Sequence, residues 1–322
     1  MKNISLAQLH YVMALDEHRH FGRASKALGI TQPTLSMMIK KLEEELQVIL
    51  FDRDMAPLEP TEEGRIVIKR ARTILLELKG LEGEIIEAKD PKDVIGIWKI
   101  AVIPTLANTL LPLIFSNYKK HYPKLKIEMQ EMQTSAMVEK LKKGDLDVGI
   151  LATPLRDSDL IETVLFYEKF FIFLNGIDKK EKYEASSLPH LVRDLDLLLL
   201  SEGHCFRHQS LELCHLKNTG KSSTDFTFAG GSFETLMEII KNNKGITFIP
   251  ELLVNQLSSS VKQKYVASFS NPIPTREISL VTTRYFLHQQ KINILQKLIL
   301  EQLPKEIASP KREKIKILSL PT

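Results

Sequence analysis

Apolar residues first recur at helical spacing at Leu6, Leu9 and Met13, and again in the short run Gly22–Leu28, where Ala24, Ala27 and Leu28 are the packing positions. Gly29-Ile30 makes a turn, and Thr31 is placed to cap a third helix whose first turn tolerates Pro33. That helix keeps Leu35, Ile39, Leu42 and Leu46 on one face and shows Gln32, Thr34, Ser36, Met37, Lys40 and Lys41 on the other. Two short helices joined at a glycine turn, the second with a small polar leading face, predict a helix-turn-helix. Short side chains let the backbone approach base edges and a glutamine can address adenine. Residues 50–61 then predict a wing, with Arg53 at a phosphate or in the minor groove. From Thr61 to about Lys89 the chain reads as one long helix. Val67, Ala71, Ile74, Leu78, Leu81, Ile85 and Ala88 alternate spacings of four and three along it, a narrow heptad seam that asks for a second helix.

Beyond residue 95 the pattern changes. Gly96–Pro104 is an apolar strand run leading into a helix with Leu110, Leu113, Ile114 and Tyr118. Leu125, Ile127 and Met129 alternate, Ser135–Lys143 is helical, and Asp145–Thr153 is another strand. This β-α-β-α-β order predicts a parallel sheet covered by helices. A similar succession follows through residues 165–174, 196–201, 226–231 and 245–253.

The length, 322 residues, favours two or three domains, and 43% apolar with 26% charged residues is an ordinary globular balance. No apolar run approaches the roughly 18–20 residues of a membrane span, and the start lacks the apolar stretch of a signal peptide, so we expect a cytoplasmic protein with no membrane partner. The formal charge is +4, but residues 1–58 carry seven bases against seven acids, so any case for DNA must rest on geometry rather than bulk charge. Residues 305–322 carry five bases and two acids and read as a solvated or frayed tail. The chain contains no GxGxxG, Walker A or GxSxG pattern, which leaves nucleotide-binding and hydrolase functions without support.

Both cysteines fall in GHCFRHQSLELC, residues 203–214. Cys205 follows a Gly-His pair and is expected in the first turn of a helix, where the helix dipole, His204 and Arg207 would favour thiolate. A thiolate attacks peroxide oxygen to give a sulfenic acid, which a second thiol can convert to a disulfide. Nine residues of helix, however, rise about 13–14 Å and put Cys205 and Cys214 on opposite faces, whereas a disulfide needs Cα atoms within about 7 Å. Pairing would require the helix to unwind. Three other readings remain: two inert buried cysteines, a zinc or copper site drawn from His204, Cys205, His208, Cys214 and His215, and a thiol peroxidase.

The run FGRASKALGITQPTLSMMIKKLEEELQVILFDR, with LHYVMALDEHRHF ahead of it, resembles the DNA-binding domain of LysR-type transcriptional regulators. The resemblance implies a winged helix-turn-helix over 1–60, a dimerising linker helix over 61–90, and a two-lobed, periplasmic-binding-protein-like α/β regulatory domain over 91–304. Its first lobe would comprise about 91–164 and 270–304 and its second 165–269, with crossings near Thr163–Leu165 and Phe269–Asn271. It further implies that Gln32, Thr34 and Ser36 face the major groove of a double-stranded operator and that Arg23, Lys40 and Arg53 hold its backbone. The implied partners are a second copy or a tetramer, and RNA polymerase. No cofactor and no metal are implied, and no enzymatic activity. The cysteine segment, together with VIPTLANTLLPLIFSNYKKHYPKLKIEMQEMQTS and GGSFETLMEIIKNNKGITFIP, is similar to the peroxide-sensing members of the family. On that likeness Cys205 is peroxidatic, Cys214 resolving, and Thr105, Thr134, His204 and Arg207 form the pocket for hydrogen peroxide. Two positions depart from that pattern: His208 stands where an aspartate is expected, and the arginine expected before GGSFETL is replaced around Ala229-Gly230. A family member that binds an ordinary metabolite between its lobes is the alternative.

Overall fold

A computed structural model of the chain describes residues 4–87, 96–216, 232–284, 289–308, 315–318 and 320. They divide into two compact units, one before and one after residue 90.

The N-terminal unit opens with α1 (Leu6–His18), α2 (Phe21–Leu28) and α3 (Gln32–Leu46). Ser5 and Gln8 close a capping box on α1, and the Thr31 hydroxyl accepts from the Thr34 amide to start α3. Leu35, Ile39 and Leu42 of α3 pack with Val12, Leu15 and Ala24 in one core. The packing residues differ at two places from the sequence reading. Leu6 is exposed while Val12 and Leu15 are fully buried, and Ser25 rather than Ala27 is buried on α2. Strands β1 (Phe51–Asp52) and β2 (Glu59–Pro60) pair antiparallel as the wing.

Thr61 caps the 26-residue helix α4 (Glu62–Glu87) by accepting from the Gly64 amide. The heptad seam is not uniform along it. Ile68 and Ala71 are buried and Val67 packs on the unit's own core, while Arg72 bonds Asp16 of α1 at 3.1 Å. The first turns of α4 therefore serve their own unit, and of the described seam positions Ile74 stands most open, at 44% exposure. Leu81, Ile85 and Ala88 lie outside the described side chains.

In the C-terminal unit β3 (Gly96–Val102), α5 (Pro104–His121), β4 (Leu125–Glu131), α6 (Thr134–Lys143) and β5 (Val148–Thr153) form the β-α-β-α-β unit, with β3 parallel to both β4 and β5. The sheet then turns antiparallel. The 16-residue β6 (Leu160–Asn175) pairs with β10 (Ile273–Thr283) as far as Lys169, and from Phe170 with β8 (Gly245–Pro250). The change of partner thus lies at Lys169–Phe170, beyond the predicted Thr163–Leu165, because β6 and β10 keep one ladder through a bulge at Leu165. Between them come β7 (Lys182–Tyr183), α7 (Leu188–Asp194), α8 (Cys205–Leu213), α9 (Phe233–Asn242), α10 (Glu251–Gln256), α11 (Ser259–Tyr265) and β9 (Val266–Phe269). The strand expected at residues 196–201 is reduced to a bridge from Leu197 to Ile246, and the one expected at 226–231 lies outside the described residues.

The C-terminal segment differs most from expectation. After α12 (Gln289–Leu300) and α13 (Lys305–Ala308), β11 (Ile315–Ile317) pairs parallel with the start of β10. Leu318 is buried in the same core as Cys214. Alternation of Ile315 and Ile317 with Lys314 and Lys316 is a strand signal set within a basic stretch. No helix among the described residues is long and apolar enough to cross a membrane.

Candidate functional site

Cys205 is the first residue of α8, as its sequence context predicts. Gly203 sets the turn before it: its φ is +90°, and a Cβ there would collide with the Gln133 side chain. That close approach brings the start of α6 against the start of α8, so that Thr134 Oγ1 and Cys205 Sγ sit 3.1 Å apart. Two helix N-termini thus converge on one half-buried thiol.

The cation nearest this site is neither His204 nor Arg207. Arg207 points away, donating to the Leu200 carbonyl at 2.9 Å. Arg276 of β10 takes its place: its guanidinium lies 5.0 Å from the centroid of the Phe206 ring, next to Cys205. It donates to Thr105 Oγ1 at 2.8 Å and pairs with Glu168 of β6 at 2.7 Å. Glu168 in turn accepts from the Leu252 amide at 2.9 Å. Arg276 and Glu168 are both essentially buried, and burial raises the Glu168 carboxyl despite the pull of Arg276. Neither residue stands out in the sequence, since each has a second charge beside it, Lys169 next to Glu168 and Glu277 next to Arg276.

Electrostatics correct a second expectation. Burial raises the Cys205 thiol above its ordinary value, against the opposing pull of Thr134, Arg276 and the helix backbone. His204 is shifted down, chiefly by burial and against Glu131, so it is a neutral imidazole near pH 7 and not a second cation. Its Nδ1 is buried and has no hydrogen-bond partner. The resting thiol is therefore protonated, and the network around it offsets only part of the cost of ionising it.

A cavity of about 520 Å³ opens at His204, the residue before Cys205, and Cys205 itself does not line it. Thr105 and His204 line it, with Asn108, Glu131, Gln133 and Glu234. Of the four predicted pocket residues, then, Thr105 and His204 face the cavity, Thr134 touches the sulfur, and Arg207 does neither. The second cysteine is remote. Cys214 closes α8 at its far end, buried with Phe170, Leu236 and Leu318, and burial pushes its thiol up to about 12. Both cysteines are free. Among the described residues no three His, Cys, Asp or Glu side chains gather as a metal site, and α8 spreads His204, Cys205, His208, Cys214 and His215 along its length.

On the N-terminal unit, Arg23, Gln32 and Lys40 are exposed, whereas Thr34 and Ser36 are half-buried. Thr34 Oγ1 is shared with Thr31 at 2.8 Å. Arg53 is held by Glu43 at 2.9 Å and lies over the Phe21 ring, so it must leave that pair, or share it, to reach a phosphate.

A winged helix-turn-helix followed by a long helix and a two-lobed α/β unit is the architecture of a transcription regulator. Residues 6–65 match the bacterial regulatory helix-turn-helix of the lysR family and residues 92–304 match the LysR substrate binding domain, so the chain belongs to the LysR family of transcription regulators and is not an enzyme. It is 35% identical over 279 residues to the hydrogen peroxide-inducible genes activator of Haemophilus influenzae, covering 86% of this chain and 90% of that protein. Among solved structures it resembles a full-length cysteine variant of OxyR from Pseudomonas aeruginosa, with 27% identity, a TM-score of 0.73, and coverage of 97% of this chain and 100% of that one. A peroxide-bound cysteine-to-serine mutant of OxyR from Corynebacterium glutamicum matches at 28% identity and a TM-score of 0.56, over 94% of this chain and 95% of that one.

Proposed function

We propose that the chain is a peroxide-responsive, DNA-binding regulator of the OxyR type, in which hydrogen peroxide oxidises Cys205 and a disulfide with Cys214 sets the active state. The observation that carries this is the Cys205 thiol against Thr134, at two helix starts, with a cavity at the neighbouring His204 and the buried Arg276 beside Phe206. In the first step Cys205 Sγ, as thiolate, attacks one peroxide oxygen. The O–O bond breaks, the sulfur becomes S–OH, and the leaving hydroxide takes a proton as water. The Thr134 hydroxyl and the N–H groups at the start of α8 stabilise the negative charge while it exists. In the second step the Cys214 thiol attacks the sulfenic sulfur, forms S–S and releases a second water.

That second step cannot occur across an intact α8, whose length separates the cysteines by about 13–14 Å along the axis. Oxidation is therefore a refolding event, and the new packing of the second lobe is the signal. Gln32, Thr34 and Ser36 read operator bases, Arg23, Lys40 and Arg53 hold phosphates, and α4 pairs two copies into a dimer or, through further contacts, a tetramer. The regulator acts in the cytoplasm, with the chromosome and RNA polymerase as partners.

Mass spectrometry of the peptides bearing Cys205 and Cys214, before and after micromolar peroxide, tests the proposal. A new disulfide supports it, and thiols that survive peroxide unchanged defeat it. The cavity, far larger than peroxide and lined by Asn108, Glu131 and Glu234, favours one second reading, a small polar metabolite as inducer. Under that reading operator affinity changes on adding a ligand while both thiols stay reduced.

A further inference from the structure

The leading half of α3 carries one side chain that the helix-turn-helix does not use. Met37 is 62% exposed and takes no part in the unit's hydrophobic core, which the same helix fills with Leu35, Ile39 and Leu42. Its neighbours on the exposed face are Pro33 and Thr34 one turn before and Lys40 and Lys41 one turn after. Between Gln32 and Leu42 the helix has no acidic residue, and Glu43, Glu44 and Glu45 are confined to its last turn. The half that contains Met37 is thus the half that the helix dipole and two lysines make fit to enter a groove lined by phosphates. Met37 lies at its centre.

An apolar side chain at that place needs an apolar partner. The edges of the base pairs offer one in the major groove, the C5 methyl group of thymine. A thioether on a flexible, unbranched chain can follow that methyl group without a fixed hydrogen-bond geometry. Cations at Lys40 and Lys41 on the next turn would hold the helix against the backbone while Met37 reaches the floor of the groove.

We propose that Met37 reads a thymine methyl group in each operator half-site. The contact is separate from the hydrogen-bonding readout assigned to Gln32, and it does not depend on how the cysteines respond to peroxide.

The test uses the full-length chain and an operator recovered by selection from random duplexes. Each thymine of the half-site is then replaced in turn by uracil, which removes the methyl group alone, and binding is measured by fluorescence anisotropy at fixed salt. At one thymine the replacement should weaken wild-type binding by about 4-fold per half-site, the effect of losing one buried carbon. Met37→Ala should lose a similar factor on the thymine duplex and bind thymine and uracil duplexes equally at that position. Met37→Leu should retain the discrimination, which separates apolar readout from damage to the helix. The proposal is overturned if wild type tolerates uracil at every position, if Met37→Ala keeps the wild-type preference, or if the selected half-site has no required thymine.

Discussion

Arg276→Met and Glu168→Gln, singly and together, separate the structural from the chemical role of the buried ion pair. The two side chains are 1% and 0% exposed and meet at 2.7 Å, so removing either leaves an uncompensated buried group. Breaking such a pair costs about 3–5 kcal/mol, whereas replacing both partners with neutral groups of similar volume is close to neutral. For the C-terminal unit, about 2–4 °C per kcal/mol makes the loss in Arg276→Met roughly 6–20 °C in Tm. Glu168→Gln should cost less, because Arg276 keeps its bonds to Thr105. The double variant should recover most of the loss, giving a coupling energy of at least about 2 kcal/mol in a double-mutant cycle. Reactivity should behave differently. Arg276 is a cation that lowers the cost of ionising Cys205, and it is absent from both Arg276→Met and the double variant. Alkylation of Cys205 at pH 7.5, followed by stopped-flow or by mass, should therefore be slower than wild type in both, even where stability has returned. If alkylation recovers together with stability, Arg276 acts only by holding the fold. If Arg276→Met alkylates at the wild-type rate, the cation has no influence on the thiol at all.

Cys205→Ser should abolish the peroxide response, because a hydroxyl is not ionised at neutral pH. Cys214→Ser should still react, but stall as sulfenic acid or over-oxidise, as dimedone labelling would reveal. Alkaline pH should destabilise the C-terminal unit through Cys214. Its folded thiol keeps the proton up to about 12, while the unfolded thiol loses it near 8.5. Stability is thus intact below the unfolded value and falls by about 2 kcal/mol between roughly pH 8.5 and 10.5. Urea denaturation of Cys214→Ala should show a flatter slope over that range, and an unchanged slope would contradict the buried thiol. Ile74→Glu should shift the full chain toward monomer in analytical ultracentrifugation without lowering the melting of the N-terminal unit, since Ile74 is exposed in the isolated fold.

The N-terminal unit was the most legible part of the sequence because its elements are local. Caps, turns and a repeat of three and four residues decide α1 to α3, and each signal lies within a few positions of what it controls. Periodicity alone presents the seam of α4 as uniform, because it records which residues share a face. It does not record whether that face meets the unit's own core, as at Ala71, or a second copy. Residue pattern alone reaches only the nearest neighbours of Cys205, and Thr105 and Thr134 enter through the family resemblance. Glu168 and Arg276 stand 37 and 71 positions away in the chain and reach the site through the β6–β10 pairing, while Thr134, 71 positions away, arrives at the start of α6. Proximity in sequence points to His204 and Arg207 as the cations, but burial neutralises one while the helix turns the other to Leu200.

The same long-range pairing explains how a bond between two sulfurs can matter to the rest of the lobe. Helix α8 is short, but its buried side chains connect three separate elements. Phe206 stacks on Phe170 of β6 at 4.5 Å between ring centroids and meets Phe233 of α9 edge-on at 5.0 Å. Phe170 is where β6 changes partner between the lobes. Gln209, fully buried, donates to the Leu318 carbonyl beyond β11, and Leu318 in turn donates its amide to Thr275 on β10, next to Arg276. Unwinding α8 enough to join its two ends must therefore release an aromatic stack at the crossing strand and a hydrogen bond to the C-terminal segment together. Neither loss depends on the disulfide's own energy. Each follows from removing the helix that held Phe206 and Gln209 in place, so under the proposed mechanism a local oxidation would become a rearrangement of the β6–β10 crossing.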